Sequence, residues 1–171
     1  MLRLILMRHA KSSWDARNVA DFDRPLNSRG TRSARAMGDW LRAKSYVPGQ
    51  VLCSTARRTR ETLEGLALPG DVPVEFLDEL YHGEPITIRK VLRRVSADSV
   101  LVIGHNPGIG IAARKFLDRP PAHDRFDDYP TGATLVADFD APDWSNLQWG
   151  DGRAMDFAVP REQLGEASDR T

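Results

Sequence analysis

Three short runs without a polar side chain, residues 4–7 (LILM), 51–53 (VLC) and 100–103 (VLVI), constrain this chain most. A strand with one wet face alternates apolar and polar residues, whereas a run that is apolar at every position is buried on both faces. Helical patterns separate these runs. Residues 28–44 place Ala34, Met37, Trp40 and Leu41 at helical spacing after a plausible N-cap, Asn27. Ser54 reads as the cap of a helix over about 55–66, Pro85 opens a helix over 84–95, and a further helix follows residues 104–108 to about 117. Residues 72–76 read as an edge strand, and 133–139 and 154–159 as the last strands. Residues 15–24 and 118–130 are polar or proline-rich and read as loops. Strands alternating with helices predict an α/β fold, a three-layer sandwich whose mainly parallel sheet carries helices on both faces. No repeat or linker interrupts it. One domain spans 1–171, with a flexible tail from about residue 165.

The three runs end alike. The first runs into Arg8-His9, the second into Ser54 with Arg57 and Arg58 just beyond, and the third into Gly104-His105. If the strands are parallel, all three ends meet on one edge, and ligands of open α/β sheets collect outside the carboxyl ends of strands. Two arginines and two histidines there make an anion site with a possible nucleophile.

The balance of charge narrows the classes. Lys+Arg and Asp+Glu both total 24, so the basic excess typical of nucleic-acid binders is missing. One cysteine, Cys53, permits no internal disulfide and fits a reducing compartment; it reads as core. The first apolar run is too short for a signal segment, and no window approaches a membrane span, so a cytoplasmic protein is expected. The four histidines lack tight ligand spacing, which argues against a metal site, and no cofactor motif is present.

Four segments in order resemble one family. They are Arg8-His9-Ala10-Lys11-Ser12-Ser13-Trp14; Asp23-Arg24-Pro25-Leu26-Asn27 with Arg29-Gly30; Ser54 followed by Arg58-Thr59 and Thr62; and Gly104-His105-Asn106-Pro107-Gly108. Together they resemble the histidine phosphatase superfamily, with its phosphoglycerate mutase-like fold, and within it the SixA-type phosphohistidine phosphatases. The resemblance runs from the first strand to about Pro160. It implies His9 as nucleophile, with Arg8, Arg58 and His105 around the phosphoryl group and Ser12 touching it. Glu79, in the segment 77–83, matches the acid of mutase-like relatives, and reads equally well as a surface carboxylate.

The function so implied is a metal-independent phosphatase working through a phosphohistidine intermediate. Its substrate would be a phosphohistidine on a protein or a small phosphate monoester. A phosphomutase of sugar phosphates and a non-catalytic phosphate-binding module are the alternatives. Three departures bear on the choice. Ala10 stands where many members have glycine, Lys11 where mutases commonly have glutamate, and Asp15 where an asparagine often meets phosphate. By the same resemblance the chain lacks the long insertions that roof mutase sites, so an open pocket is expected, with Trp14 a candidate for its mouth. Arg57 reads as the solvent-facing neighbour of Arg58, and His82 and His123 as surface or loop residues. The sequence leaves the oligomeric state open.

Overall fold

The computed structural model describes residues 1–15 and 17–165. Six strands form one sheet: β1 (Leu2–Arg8), β2 (Gln50–Ser54), β3 (Val74–Leu77), β4 (Ser99–Gly104), β5 (Thr134–Phe139) and β6 (Arg153–Ala158). Their order is β3-β2-β4-β1-β5-β6. The pairs β3–β2, β2–β4 and β4–β1 are parallel, whereas β1–β5 and β5–β6 are antiparallel. The helices are α1 (Ser28–Ala43), α2 (Arg57–Leu66), α3 (Pro85–Val91), α4 (Gly108–Phe116) and α5 (Pro160–Gln163).

The apolar runs are buried on both sides. Along β1, Leu4 and Leu6 join one core with residues of α3 and α4, and Ile5 and Met7 join the other with residues of α1 and α2. Side chains alternate with period two along a strand, so a run apolar throughout supplies both cores at once. The three-layer α/β sandwich follows directly. No described helix is long and apolar enough to cross a membrane.

The sheet register aligns the chemistry. Arg8 lies opposite Gly104, and Cys53 opposite Ile103. The ends of β1, β2 and β4 therefore open on one edge, as the sequence pattern requires. Two glycines let neighbouring segments close around that edge. A Cβ on Gly30, in the first turn of α1, would stand 2.0 Å from the Lys11 carbonyl oxygen, so only glycine lets the helix meet the segment after His9. A Cβ on Gly108 would stand 1.9 Å from the Gly83 oxygen, which seats the start of α4 against the turn after Tyr81 and His82. Gly30→Ala is accordingly expected to cost about 2 kcal/mol or more, because the obstructing atom is backbone. Urea unfolding measures this, and an unshifted midpoint would refute the close packing.

Local boundaries differ from expectation in informative ways. Asn27 does cap α1, its side chain accepting from the Gly30 N–H at 2.8 Å. Ser54 does not cap α2, which starts later, at Arg57, with Ala56 at the cap position. Its hydroxyl is engaged elsewhere, with His105. The helix expected over 84–95 ends at Val91 and tightens into a 3-10 turn, Leu92–Arg94. The stretch 15–24 holds a 3-10 turn, Asp21–Asp23, that periodicity does not reveal. α5, four residues opened by Pro160, is too short to register in a sequence pattern. The tail expected from about residue 165 lies, beyond Gly165, outside the described residues.

Candidate active site

His9 follows β1 directly, its N–H bonded to the Gly104 oxygen at 3.0 Å. The ring is buried, with Nδ1 2.7 Å from the Ala10 carbonyl oxygen. A carbonyl only accepts, so the neutral ring carries its proton on Nδ1 and leaves the Nε2 lone pair free. Burial pushes the His9 pKa down to about 3, and the charges of Arg58, Arg8 and Arg24 oppose the remaining gain from Ala10. At neutral pH His9 is a neutral ring with an unengaged Nε2 lone pair.

His105 follows β4, its ring centroid 5.3 Å from that of His9. Its Nε2 lies 2.8 Å from Ser54 Oγ, which also accepts from the Ala56 N–H at 3.3 Å. When the Ser54 hydroxyl donates to Nε2, the His105 proton stands on Nδ1. Burial, then the charges of His9 and Arg58, push the His105 pKa down to about 2. His105 is therefore neutral, and in that tautomer its Nδ1–H donates without an extra proton.

Arg8 and Arg58 flank the histidines. Arg8 donates from Nη1 to the Tyr129 carbonyl oxygen at 3.1 Å. Arg58, buried in the first turn of α2, donates to the Asp21 carbonyl oxygen at 2.7 Å and to Asp21 Oδ2 at 3.1 Å. Thr62 ties the two elements together, its hydroxyl accepting from the Ala10 N–H at 3.0 Å and donating to the Arg58 oxygen at 2.7 Å. Among the described residues, the buried side-chain nitrogens without a hydrogen-bond partner are Arg8 Nε, Arg58 Nε and His105 Nδ1. Buried donors are nearly always satisfied. Three orphans on the residues beside an imidazole lone pair mark a place for an anion.

The sequence profile of the histidine phosphatase superfamily, branch 1, matches residues 4–82. SixA, the phosphohistidine phosphatase of Escherichia coli K12, is 31% identical over 115 residues, 64% of this chain and 70% of SixA. The chain belongs to the histidine phosphatase superfamily. Solved structures agree. A Nakamurella multipartitia protein described as a candidate SixA phosphohistidine phosphatase superposes with a TM-score of 0.80 at 32% identity, over 93% of this chain and 96% of that one. The tungstate complex of the protein histidine phosphatase SixA superposes with a TM-score of 0.74 at 27% identity, over 94% and 99%.

Beyond that quartet, this superfamily member departs from the expected assignments. Glu79 is turned to Arg94, 3.0 Å away, and Arg94 also pairs with Glu75 of β3 at 2.9 Å. This network, not the histidine pair, holds Glu79, so its geometry gives the expected acid role no support. Asp128 lines the cavity of Arg8 and His9. The carboxylate bonded to Arg58 is Asp21, in the 3-10 turn before Arg24. It accepts from Arg58, from Arg24 Nε at 3.1 Å and, in a short bond, from the Tyr81 hydroxyl; His82 Nε2 is 3.3 Å away. Partial burial raises its pKa, but Tyr81, Arg58 and Arg24 outweigh that and hold the carboxyl well below the usual carboxylate range. Asp21 is ionised, an acceptor rather than a proton donor.

Ser12 accepts from Arg24 Nη1 at 2.6 Å and lines the same cavity as Arg8 and His9. Trp14 also lines it, exposed, with the Arg24 guanidinium 3.6 Å over its ring. His82 is an exposed turn residue, as expected, and its ring centroid lies 5.4 Å from that of His105 and 4.1 Å from that of Tyr81. Arg57 is solvent-facing as expected and pairs with Glu61 at 3.1 Å, while His123 is a loop residue 3.0 Å from Glu162. Cys53 is fully buried, and burial pushes its thiol up to about 12, so it is core. Sequence reasoning missed Asp21, Tyr81 and His82. Arg24 lay inside the quoted Asp-Arg-Pro-Leu-Asn segment, the one signal that pointed to this corner.

The two histidines make stability depend on pH. Both folded-state pKa values lie below the unfolded value, so as pH falls below about 6.5 the unfolded chain takes up protons that the folded chain refuses. Stability is complete above that point and is expected to decline as pH falls, by about 1.4 kcal/mol per pH unit for each histidine. Urea midpoints between pH 7 and 5 read the slope, and His105→Asn should remove about half of the histidine part. A midpoint unchanged over that range would contradict two buried neutral rings.

Proposed function

We propose that this protein is a metal-independent phosphatase that transfers a phosphoryl group to His9 Nε2 and then to water, with phosphohistidine on a protein as its favoured substrate. The observation that carries the reading is the set of orphaned donors, Arg8 Nε, Arg58 Nε and His105 Nδ1, beside a neutral imidazole whose proton is pinned on the far nitrogen. The His9 lone pair attacks phosphorus, the bond from phosphorus to the leaving group breaks, and the leaving group departs with its electron pair; a phosphohistidine already protonated on its second ring nitrogen leaves as neutral imidazole. Water then attacks the phosphohistidine, its P–N bond breaks, inorganic phosphate leaves, and His9 regains its lone pair. The arginines and the His105 N–H stabilise charge on the phosphoryl oxygens in both steps, a contribution that is mostly electrostatic.

The choice of leaving group rests on Asp21. It is ionised, and Glu79 is turned to Arg94, so neither offers a proton to an alkoxide. An imidazole leaving group becomes good once its own second nitrogen is protonated, so a phosphoramidate suits this site better than an alkyl ester. Small monoesters with acidic leaving groups remain substrates of the same machinery.

Brief exposure to labelled phosphohistidine peptide, followed by denaturation, should give a protein-bound label that survives alkali and is lost in acid. A panel comparing phosphohistidine peptides, aryl phosphates and sugar phosphates should rank them in that order by kcat/KM. Isomerised sugar phosphate in place of free phosphate would favour the mutase, and oxyanion binding without label would favour a binding module. Treatment with chelator should leave turnover unchanged, and a marked loss would refute metal independence.

A further inference from the structure

We propose a second anion subsite beside the phosphoryl pocket, which takes a phosphate or carboxylate group on the same substrate. The proposal rests on the reading above that Arg8 and His9 receive the phosphoryl group. The cavity containing Arg8 and His9 has a volume of about 350 Å³, and a second cavity of about 180 Å³ adjoins it. The two share Lys11, Arg125, Pro130 and Thr131 as their common wall. The second adds Arg29, from the first turn of α1, and Arg161, from α5. Four cationic side chains thus line the smaller cavity, and no carboxylate does.

A chain with equal numbers of acidic and basic residues has no general reason to gather four cations around one cavity. Two of them have charge to offer. Lys11 has no ion-pair partner among the described residues. Arg125 gives its Nε and Nη2 edge to Asp128, which leaves Nη1 without a bond among the described residues. Thr131 adds a hydroxyl on the shared wall. A cleft lined by one sign of charge focuses the field and concentrates the opposite ion. The Lys11 backbone is fixed by its carbonyl, which accepts from the Asn27 N–H at 3.0 Å and abuts Gly30. The cation at position 11 therefore stands between the two cavities, two residues beyond the nucleophile. The ligand chemistry is a phosphoryl group with a second anion close by. A small bisphosphorylated metabolite supplies it, and so does an acidic side chain next to a phosphohistidine.

Binding is tested first, independently of turnover. Calorimetric titration of the whole chain with orthophosphate, pyrophosphate and tripolyphosphate should show a preference of about tenfold for the longer anions. In Lys11→Gln, and in Lys11→Gln combined with Arg161→Gln, that preference should shrink to about twofold or less. The single variant at an exposed position keeps the test valid if the double variant misfolds. A preference equal to wild type in both variants, or none in wild type, overturns the subsite.

Turnover then separates the two readings. A sugar monophosphate is compared with its bisphosphate, and a phosphohistidine peptide with alanine neighbours is compared with its aspartate-flanked counterpart. A KM that rises in the variants for the bisphosphate or for the acidic peptide, with kcat retained, supports the subsite and names its source. Equal KM values within each pair remove the subsite and leave the phosphatase intact. Polyphosphate preference with no turnover of any substrate removes the phosphatase and leaves the subsite.

Discussion

His9→Ala is expected to lower kcat by about four orders of magnitude or more, on the scale seen when a nucleophile is deleted from a covalent mechanism. The mechanism requires a phosphorus–nitrogen bond to His9 Nε2. His105 is 5.3 Å away between ring centroids, but its Nε2 is held by Ser54. With its proton on Nδ1 it has no free lone pair to offer. The alkali-stable, acid-labile label should vanish with the turnover. Oxyanion binding should largely survive, since Arg8, Arg58 and the His105 N–H are untouched. Substantial hydrolysis by the alanine variant would end the covalent reading, and loss of both binding and turnover would point to a damaged pocket. The fold itself should tolerate the change. His9 Nδ1 leaves behind only the Ala10 carbonyl oxygen, and the main-chain bond from His9 to Gly104 stays in place.

Arg58→Ala is the second large effect, a fall in kcat of about 10²–10³, or roughly 3–4 kcal/mol of transition-state stabilisation. The guanidinium serves two partners at once. Nη1 and Nη2 hold the carbonyl and the carboxylate of Asp21, while Nε, buried and unpaired, is left for a substrate oxygen. A lysine ammonium is a point charge without that fork, so Arg58→Lys should recover only a small part of the loss. Stopped-flow phosphorylation of His9 isolates the step. A variant within about fivefold of wild type would show that Arg58 anchors Asp21 and nothing more. Removing the arginine also exposes Asp21 to the pocket without its strongest buried counter-charge. Affinity for phosphate should therefore fall along with the rate, because an ionised carboxylate repels the incoming oxyanion.

The legible part of this protein is the part that regular structure positions. His9, Arg8 and His105 sit at the ends of strands announced by uninterrupted apolar runs, and Arg58 lies one residue into the helix that follows another. Parallel pairing alone brings those ends together, so local sequence carried the information. Asp21, Arg24, Tyr81 and His82 come from two irregular segments whose meeting depends on tertiary contacts. Phe22 packs edge-on against Tyr81 at 5.1 Å, and Gly83 lies under Gly108. No periodicity encodes such meetings. The two readings left open for Glu79 have the same origin: linear correspondence fixes a position along the chain but not the direction of a side chain. Ser54 was misjudged as a helix cap because its hydroxyl had a competing partner 51 residues away.

The partner of His9 Nδ1 is a main-chain oxygen, that of Ala10. Many histidine nucleophiles and bases are oriented by a carboxylate, which can be mutated or protonated. A peptide carbonyl can be neither. The chemical identity of the residue at position 10 is thus irrelevant to the tautomer, which gives a physical reason why alanine is acceptable there. What the tautomer does depend on is the path of the backbone, and that path is held from a distance by Thr62 and Gly30. An inactivating lesion with all four reacting residues intact would therefore be sought at those two positions, which never touch the phosphoryl group. Drift in substrate preference, by contrast, has the side chains lining the cavity to work with.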